Sequence, residues 1–429
     1  MKKESVALRI ILVGCLIALL LIPLFMIQAL ISERQINRNV SIKEISKSWA
    51  GPQTIAGPIL TAITSSETIS KEGNKVETKK KYFYLPENLS VEAKVIPEKR
   101  YRGIYSAIVY KTDLKIKGSF SNQNTNAILS DPSFKESYLS FNINDPRGIQ
   151  QDVVVKWNNV SQTIIPGLKD KNIFTNGFHS NIIIDKDHPD SVFEINLTLS
   201  GVDEINFVPV GKNTEVKVSS AWNDPSFTGN FLPSQREINE NGFKATWNVN
   251  HFNRQFPQEW SQSSYDIFKD KFGVKFYIPA DEYQQTMRSS KYGLLIIILS
   301  FVSFFLVEIF SGKAIHPIQY ILIGLALIIF YSMLLALSEY ILFQYSYLIA
   351  GSLVIGLITL YTKSIYKNRG IVLSISSMLI LFYGFVYILL QLQDYSLLLG
   401  NIALFLILAA IMFFTRKINW FDVLNNKTN

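Results

Sequence analysis

The sequence predicts a membrane protein that combines a six-span α-helical bundle, one N-terminal span plus five C-terminal spans, with a large mainly-β extracytoplasmic domain. Two observations support this fold class. The flanking stretches 7–31 and 293–415 contain apolar runs of roughly 20 residues, the length that an α-helix needs to cross a bilayer. The stretch 32–290 between them is polar, and apolar and polar residues alternate along many of its segments, which is typical of β-strands.

The overall composition averages two different kinds of sequence. The chain has 429 residues, a formal net charge of +8 and a hydrophobic fraction of 48%. The excess Lys and Arg lie beside the apolar runs and the polar middle is nearly neutral, so no nucleic-acid partner is expected. The single cysteine, Cys15, lies in the first apolar run, and the polar domain therefore contains no disulfide.

The first element is an N-terminal anchor at 1–31. A basic start is followed by an apolar run at 10–31, and about 22 residues at 1.5 Å each span roughly 33 Å. This length favours a permanent anchor over a cleaved signal peptide. The letters around Cys15 also match the short pattern that precedes a lipid-modified cysteine. Because the apolar run continues far past Cys15, a small residue inside the helix is the favoured interpretation.

A helical stalk is predicted at 32–50. Ile36, Val40, Ile45 and Trp49 recur near helical spacing among charged residues, and the Gly-Pro pair at 51–52 ends the helix. From there to residue 280 the period is two. The segments with clear alternation are 80–85, 91–96, 111–120, 153–157, 191–199, 215–220 and 243–249. Turn clusters at 72–74, 131–133, 145–148, 223–225 and 240–242 separate them. A mainly antiparallel β domain follows, as one large sandwich or as two smaller lobes.

The last part of the chain returns to the membrane. A second stalk at 281–292 leads into a hairpin at 291–340, whose polar hinge contains Lys313, His316 and Pro317, and further spans are predicted at 341–362, 371–392 and 397–415. The predicted domains are the anchor at 1–31, the stalk at 32–50, the β domain at 51–280, the second stalk at 281–292, the five-helix bundle at 293–415 and a tail at 416–429.

The distribution of charges predicts the topology. Lys and Arg are enriched in cytoplasmic loops. The cations flanking the spans are Lys2, Lys3 and Arg9, then Lys313, then Lys363, Lys367 and Arg369, then Arg416 and Lys417. These groups alternate with loops that contain Glu339 and Asp394. Both termini are therefore expected in the cytoplasm and 32–290 outside it, which in a Gram-negative bacterium means the periplasm.

The sequence contains no pattern that predicts a catalytic, cofactor or metal site. None of the four histidines has zinc-ligand spacing, and the acidic loop 185–190 lacks the EF-hand pattern, so a solvated turn is favoured over a calcium site. A nucleophile elbow, a phosphate loop and a dinucleotide fingerprint are also absent from the sequence. We therefore expect no enzymatic activity and no cofactor.

Two features of the sequence are functional candidates. Glu308 lies within an apolar run, and it is expected either to pair with Lys313 or His316 across the hinge or to be solvated near the helix end. The loop 222–233 contains aromatics and prolines suited to ligand binding. The favoured interpretation is a rigid loop whose Phe227 and Phe231 cap the β core.

An ordered series of different short motifs extends along nearly the whole chain. In the polar half they are Gly51-Pro52-Gln53, Gly57-Pro58, Leu85-Pro86-Glu87, Gly103-Ile104-Tyr105, Asp145 with Arg147-Gly148-Ile149, Leu199-Ser200-Gly201, Trp222, Pro225-Ser226-Phe227, Gly229, Phe231-Leu232-Pro233, Arg236-Glu237, Gly242-Phe243 and Trp247. In the apolar half they are Lys291-Tyr292, Phe304-Phe305, Glu308, His316-Pro317, Gln319-Tyr320, Gly324-Leu325 and Leu337-Ser338-Glu339. In this order and spacing the chain resembles the CreD family of bacterial inner-membrane proteins.

The resemblance implies a role in cell-envelope integrity and stress response, with altered sensitivity to E-type colicins and β-lactams, and it implies no reaction. One departure is Tyr340, where the family pattern has His, so no His-dependent role carries over to that position. The motif residues kept as candidates are Glu308, His316, Pro317, Gln319, Tyr320, Glu339, Asp145, Arg147, Trp222, Pro225, Phe227 and Phe231.

The expected function is binding of partners or lipids by the periplasmic domain, besides contact with the bilayer itself. Envelope proteins, glycans and lipids are the candidate ligands. The alternatives are a transporter of a small or lipid-linked solute, favoured if the hairpin helices line a polar cavity, and an envelope enzyme.

Overall fold

The computed structural model describes residues 6–69, 75–184, 191–261, 263–276, 282–392 and 396–416. The chain divides into two compact units, Met1–Asn37 with Ala280–Asn429, and Arg38–Pro279. We call them the membrane unit and the β domain. The acidic loop 185–190, the turn 72–74, Asp394 and Lys417 lie outside the described residues.

The first helix, α1 (Val6–Trp49), has 44 residues and contains Pro23. It joins the predicted anchor and stalk into one helix, and it ends where the Gly-Pro pair was expected to end it. Its residues from Arg38 onward belong to the β domain. There Ile42, Ile45 and Trp49 pack against a small buried cluster of Ala107, Val109 and Val202.

The β domain contains one additional helix, α2 (Asn122–Ser130), which alternation did not predict, and 17 strands in its described residues. The strands are β1 (Gln53–Ile69), β2 (Lys75–Tyr84), β3 (Asn88–Arg102), β4 (Tyr105–Phe120), β5 (Phe134–Ile143), β6 (Val154–Trp157), β7 (Val160–Gln162), β8 (Ile165–Pro166), β9 (Gly177–Ile182), β10 (Ser191–Val202), β11 (Glu204–Phe207), β12 (Asn213–Ser220), β13 (Pro225–Gly229), β14 (Gln235–Asn239), β15 (Gly242–Asn250), β16 (Glu259–Ser261) and β17 (Phe272–Phe276).

These strands form two sheets. The nine-stranded sheet has the order β13-β17-β11-β1-β5-β9-β8, with β2 beside β1 and β16 beside β2. The eight-stranded sheet has the order β14-β15-β12-β3-β4-β10-β6-β7. The pairing is antiparallel except for β1 with β11 and β3 with β12. The predicted mainly antiparallel domain is therefore correct, with two parallel pairs inside it.

A single hydrophobic core lies between the two sheets. It combines side chains of the nine-stranded sheet, such as Leu60 and Phe141, with side chains of the eight-stranded sheet, such as Leu114, Ile195 and Trp247. Trp247 is fully buried and packs against the rings of Phe227 and Phe272. Of the two architectures left open by the sequence, the structure therefore has the single sandwich.

The rest of the membrane unit is helical. Its helices are α3 (Glu282–Lys291), α4 (Gly293–Ser311), α5 (Pro317–Ser338), α6 (Phe343–Ile365), α7 (Arg369–Gln391) and α8 (Ser396–Thr415). Among the described residues, five helices are long and apolar enough to cross a membrane, α3 and α4 counting together as Glu282–Ser311. The sixth, α8, is also apolar over its 20 residues. The predicted combination of a six-helix membrane part and a large mainly-β domain is confirmed.

Four helices of the membrane unit pack as a closed ring. Helix α4 packs against α5 and α7, and α6 packs against α5 and α7, so the order around the ring is α4-α5-α6-α7. Helix α3 contacts α5, α6 and α7 at one end of this ring. Helix α1 packs against α5 at Gly324, where an added Cβ would lie 2.1 Å from Leu20 Cδ1.

Candidate functional site

The candidate residues Asp145 and Arg147 lie together at the junction between α1 and β1. Asp145 Oδ2 accepts hydrogen bonds from Gly51 N at 2.8 Å and from Arg147 Nη2 at 2.6 Å. Arg147 Nη1 also donates to the carbonyl of Lys47 at 2.9 Å. That carbonyl belongs to the last turn of α1, whose final four carbonyls have no partner within the helix. The pair therefore caps the end of α1 and holds the first residues of β1.

Buried Gln53 completes this junction. Its amide nitrogen donates to the carbonyls of Asp145 at 3.0 Å and Ser200 at 2.9 Å, and its oxygen accepts from Asp145 N at 3.1 Å. Gly148 is needed here, because an added Cβ would lie 2.3 Å from the Ser200 carbonyl oxygen. Hydrogen bonds from Arg147 hold the pKa of the Asp145 carboxyl below its usual value. These groups form a structural clamp, which we call the junction clamp.

Glu308 is buried, with 6% of its side chain exposed, and it pairs with Arg9 of α1. The Tyr320 hydroxyl donates to the same carboxylate at 3.1 Å. The expected pairing with Lys313 or His316, and the alternative of simple solvation, were both wrong. The reason is tertiary: α1 packs beside the α4–α5 hairpin and brings Arg9 to a carboxylate 299 residues away in the chain.

Glu339, at the other end of α5, has an equivalent arginine. Its Oε1 lies 3.8 Å from Arg34 Nε and accepts a hydrogen bond from the Tyr283 hydroxyl at 3.2 Å. Arg9 and Arg34 both belong to α1. This helix therefore forms one ion pair near the hinge of the hairpin α4–α5 and a second near the hairpin's open end. The sequence did not predict either arginine as a partner.

The hinge residues have structural roles. His316 Nδ1 accepts from Ile318 N at 3.3 Å, and Gln319 Oε1 accepts from His316 N at 2.9 Å, which is a reciprocal cap on the first turn of α5. Pro317 occupies the first helical position, where its missing N–H costs nothing. Lys313 donates to the carbonyl of Ile365 and lies 5.6 Å from the ring centre of Tyr366.

The stretch 222–233, predicted as a loop, contains the edge strand β13, which pairs with β17, and it packs on the β core. Phe227 contacts Phe243 and Trp247 edge-to-face, and Phe231 contacts Phe272 in the same way. The Trp247 indole donates to the Phe231 carbonyl at 3.1 Å. Trp222 and Pro225 are half-buried, and the Trp222 indole donates to the Asp224 carbonyl at 3.2 Å. The loop therefore has the geometry of the rigid cap that was favoured over a ligand site.

A depression lies on the outer face of the eight-stranded sheet. It measures about 630 Å³ and has two neighbouring depressions of about 420 and 500 Å³ along the same strands. Its polar lining consists of Glu92, Lys94, Asp113, Lys115, Gln151, Asp152, Asn196, Thr198, Lys217, Ser219, Lys244 and Thr246. We call it the polar face. The sequence shows its side chains only as the outward half of each alternating strand.

A family model described as "Inner membrane protein CreD" matches residues 5–421, nearly the whole chain. The chain belongs to the CreD family. It is 33% identical over 415 residues to the inner membrane protein CreD of Escherichia coli (strain K12), and the match covers 94% of this chain and 91% of that protein. The resemblance inferred from the ordered motifs is thereby confirmed, as is the classification as an inner-membrane protein.

The motif residues of this CreD-family chain fall at separate places. Asp145 and Arg147 form the junction clamp, Glu308 and Tyr320 share one ion pair with Arg9, and Glu339 has its own pair. The structure does not bring them into one catalytic centre. Among the described residues, no group of three or more His, Cys, Asp or Glu side chains could hold a metal ion.

The junction clamp predicts a pH-dependent stability. Because its folded pKa is below the unfolded value of about 3.9, ionised Asp145 stabilises the protein above that pH, and the contribution is lost as pH falls through the folded pKa. Asp145→Asn should cost about 1 kcal/mol at neutral pH and progressively less below about pH 4. Denaturant unfolding of the full-length protein, followed by tryptophan fluorescence at several pH values, measures this difference.

The control is Glu98→Gln, because Glu98 pairs with Arg100 on the surface and both side chains are about half exposed. It should leave the unfolding midpoint unchanged at every pH. A cost of Asp145→Asn that stays constant from neutral pH to pH 3 would contradict the ionised clamp.

The Arg9–Glu308 pair predicts rescue by charge reversal. Removing one partner leaves a buried charge uncompensated, so Arg9→Glu and Glu308→Arg should each destabilise the protein by about 2 kcal/mol or more. The double variant should recover part of that loss. Thermal unfolding in detergent gives the three values, and a double variant as unstable as the sum of the singles would refute the pair.

Proposed function

We propose that the protein supports cell-envelope integrity by binding an envelope component through its β domain in the periplasm, without catalysing a reaction and without a cofactor. The ligand is an envelope protein, a glycan or a lipid. The observation on which this rests is the polar face, a depression with two neighbouring depressions on the outer side of the eight-stranded sheet. The family membership supports the inner-membrane setting.

The polar face differs from the outer side of the other sheet. On the nine-stranded sheet, Tyr138 and His179 are buried beneath a loop: His179 Nδ1 lies 2.8 Å from the Gly167 carbonyl, and Lys169 lies 5.0 Å from the ring centre of Tyr138. Burial there raises the pKa of the Tyr138 hydroxyl to about 12. The polar face has side chains at the same kind of position that remain open, so it is the side of the sandwich suited to a ligand.

The charges of the polar face are of both signs. Its lining contains Lys94, Lys115, Lys217 and Lys244 together with Glu92, Asp113 and Asp152. A mixed face of Lys, Asp, Asn and Thr side chains offers donors and acceptors without a strong field. This chemistry suits a neutral or zwitterionic polar ligand better than a polyanion such as nucleic acid.

Cross-linking from the polar face tests this proposal. A photoreactive residue at Lys244 should give a discrete adduct with an envelope component in intact cells, because Lys244 lines the depression. A probe at Leu232 tests the loop 222–233, where this side chain is 74% exposed. The readout is gel mobility of the full-length protein followed by mass spectrometry of the adduct.

The matched control is Ile183, which is 86% exposed but lies outside the polar face. Identical adducts from all three positions would show non-specific contact. An adduct from Leu232 alone would transfer the ligand site to the loop and overturn the assignment to the polar face.

The topology is tested separately. Loops with Lys and Arg face the cytoplasm, so a reporter at Asn368, beside Lys367 and Arg369, should report the cytoplasm. A reporter at Asn122, in the β domain, should report the periplasm. Paired alkaline phosphatase and green fluorescent protein fusions measure both. If the reporters placed the fusions at Asn122 and Asn368 on the same side of the membrane, the proposed orientation would be refuted.

A further inference from the structure

Several serine and threonine hydroxyls inside the membrane unit donate to a carbonyl of their own helix. Ser303 Oγ donates to the Leu299 carbonyl at 2.6 Å, Thr362 Oγ1 to the Ile358 carbonyl at 2.7 Å, and Ser338 Oγ to the Leu335 carbonyl at 3.0 Å. This local bond satisfies a serine or threonine where no water is present. Each of these three hydroxyls therefore has a hydrogen-bond partner although it is buried.

Four other buried hydroxyls of the membrane unit, two of serine and two of tyrosine, differ from these three in their hydrogen bonding. Ser289 and Tyr331 are 0% exposed, Ser300 is 1% exposed and Tyr383 is 3% exposed. Within the part of the chain that the structure describes, none of their oxygens has a hydrogen-bond partner. The buried Oε1 of Gln285 is also unpartnered there. An unpaired buried polar group is costly, more so in a low-dielectric interior.

The unpaired groups belong to helices that enclose the same space. Ser289 and Ser300 are 11 residues apart on the nearly continuous helix formed by α3 and α4, which places them on one face. Tyr331 packs between them, since an added Cβ at Gly293 would lie 3.1 Å from Tyr331 Cε2.

The ring of Phe330 connects Tyr331 with Tyr383. Its centroid lies 4.9 Å from that of Tyr331 and 4.7 Å from that of Tyr383. On the fourth helix of the ring, Tyr347 donates to the Tyr383 carbonyl at 2.8 Å. Ser289, Tyr331 and Tyr383 therefore lie on helices that meet at the end of the ring that α3 contacts.

The hydrogen-bonding capacity of the unpaired groups indicates which molecule could bind to them. Hydroxyls can both donate and accept, and the Gln285 oxygen accepts, but none of these groups is charged. A buried water forms about three hydrogen bonds to such groups and so removes the penalty of several of them at once. We propose that the interior of the α4–α7 ring holds bound water beneath α3, coordinated by Ser289, Tyr331 and Tyr383, with Ser300 deeper in the ring.

X-ray radiolysis with mass spectrometry tests this site in the full-length protein in lipid nanodiscs. Hydroxyl radicals form from bound water and oxidise the aromatic rings beside it. Tyr331 and Tyr383 should be oxidised several-fold faster than Tyr320, a tyrosine that is 2% exposed and whose hydroxyl donates to Glu308. Oxidation of Tyr331 and Tyr383 at the rate of Tyr320 would overturn the proposal.

A conservative variant gives an independent measurement. If water bonds to the hydroxyl, Tyr331→Phe removes a partner and should lower the Tm, whereas in a dry interior it removes an unpaired group and should raise the Tm. Tyr345→Phe is the matched control, since Tyr345 is 58% exposed on the outside of α6, and it should leave the Tm unchanged. A higher Tm for Tyr331→Phe would refute bound water.

Discussion

The constraint on which the membrane unit depends is the register of α1 against the hairpin α4–α5. Arg9 pairs with Glu308 and Arg34 pairs with Glu339. The two arginines are 25 residues apart, about 38 Å along a helix at 1.5 Å per residue. This is close to the thickness of a bilayer with its interfaces. A slip of α1 by one turn would break both pairs and leave Glu308 as an unpaired buried charge, so the two pairs specify one position.

At its C-terminal end, α1 is held by the junction clamp. The last turn of α1 belongs to the β domain, where Arg147 and Asp145 bind the Lys47 carbonyl and the Gly51 amide. A cation near helix carbonyls is favourable because it opposes the partial negative charge of the helix end. Asp145, Arg147, Glu308, His316 and Glu339 therefore all lie at positions where helices begin, end or meet, although they are far apart in the sequence.

The alternation of the sequence predicted strands with one solvent-exposed face and missed strands that are buried on both faces. In β4, buried and exposed residues alternate from Lys111 to Lys117, and the strand was found by its period. Strand β1 is buried almost continuously from Gln53 to Ala62 because β2, β5 and β11 pair with it and both of its faces are covered, so it has no alternation. The partners of Glu308 and Glu339 could not be predicted, since tertiary packing alone decides which of many arginines meets each carboxylate.

The helices α4–α7 contain few charged side chains, and this limits what the ring can do. In α4–α7 the acidic side chain is Glu308, already paired with Arg9, and the cations Lys363 and Arg369 belong to the ends of α6 and α7. A site that couples a solute to protons or metal ions requires an ionisable group at the depth of the ligand. The groups around Tyr331 and Tyr383 are neutral. Such a site favours neutral molecules over ions.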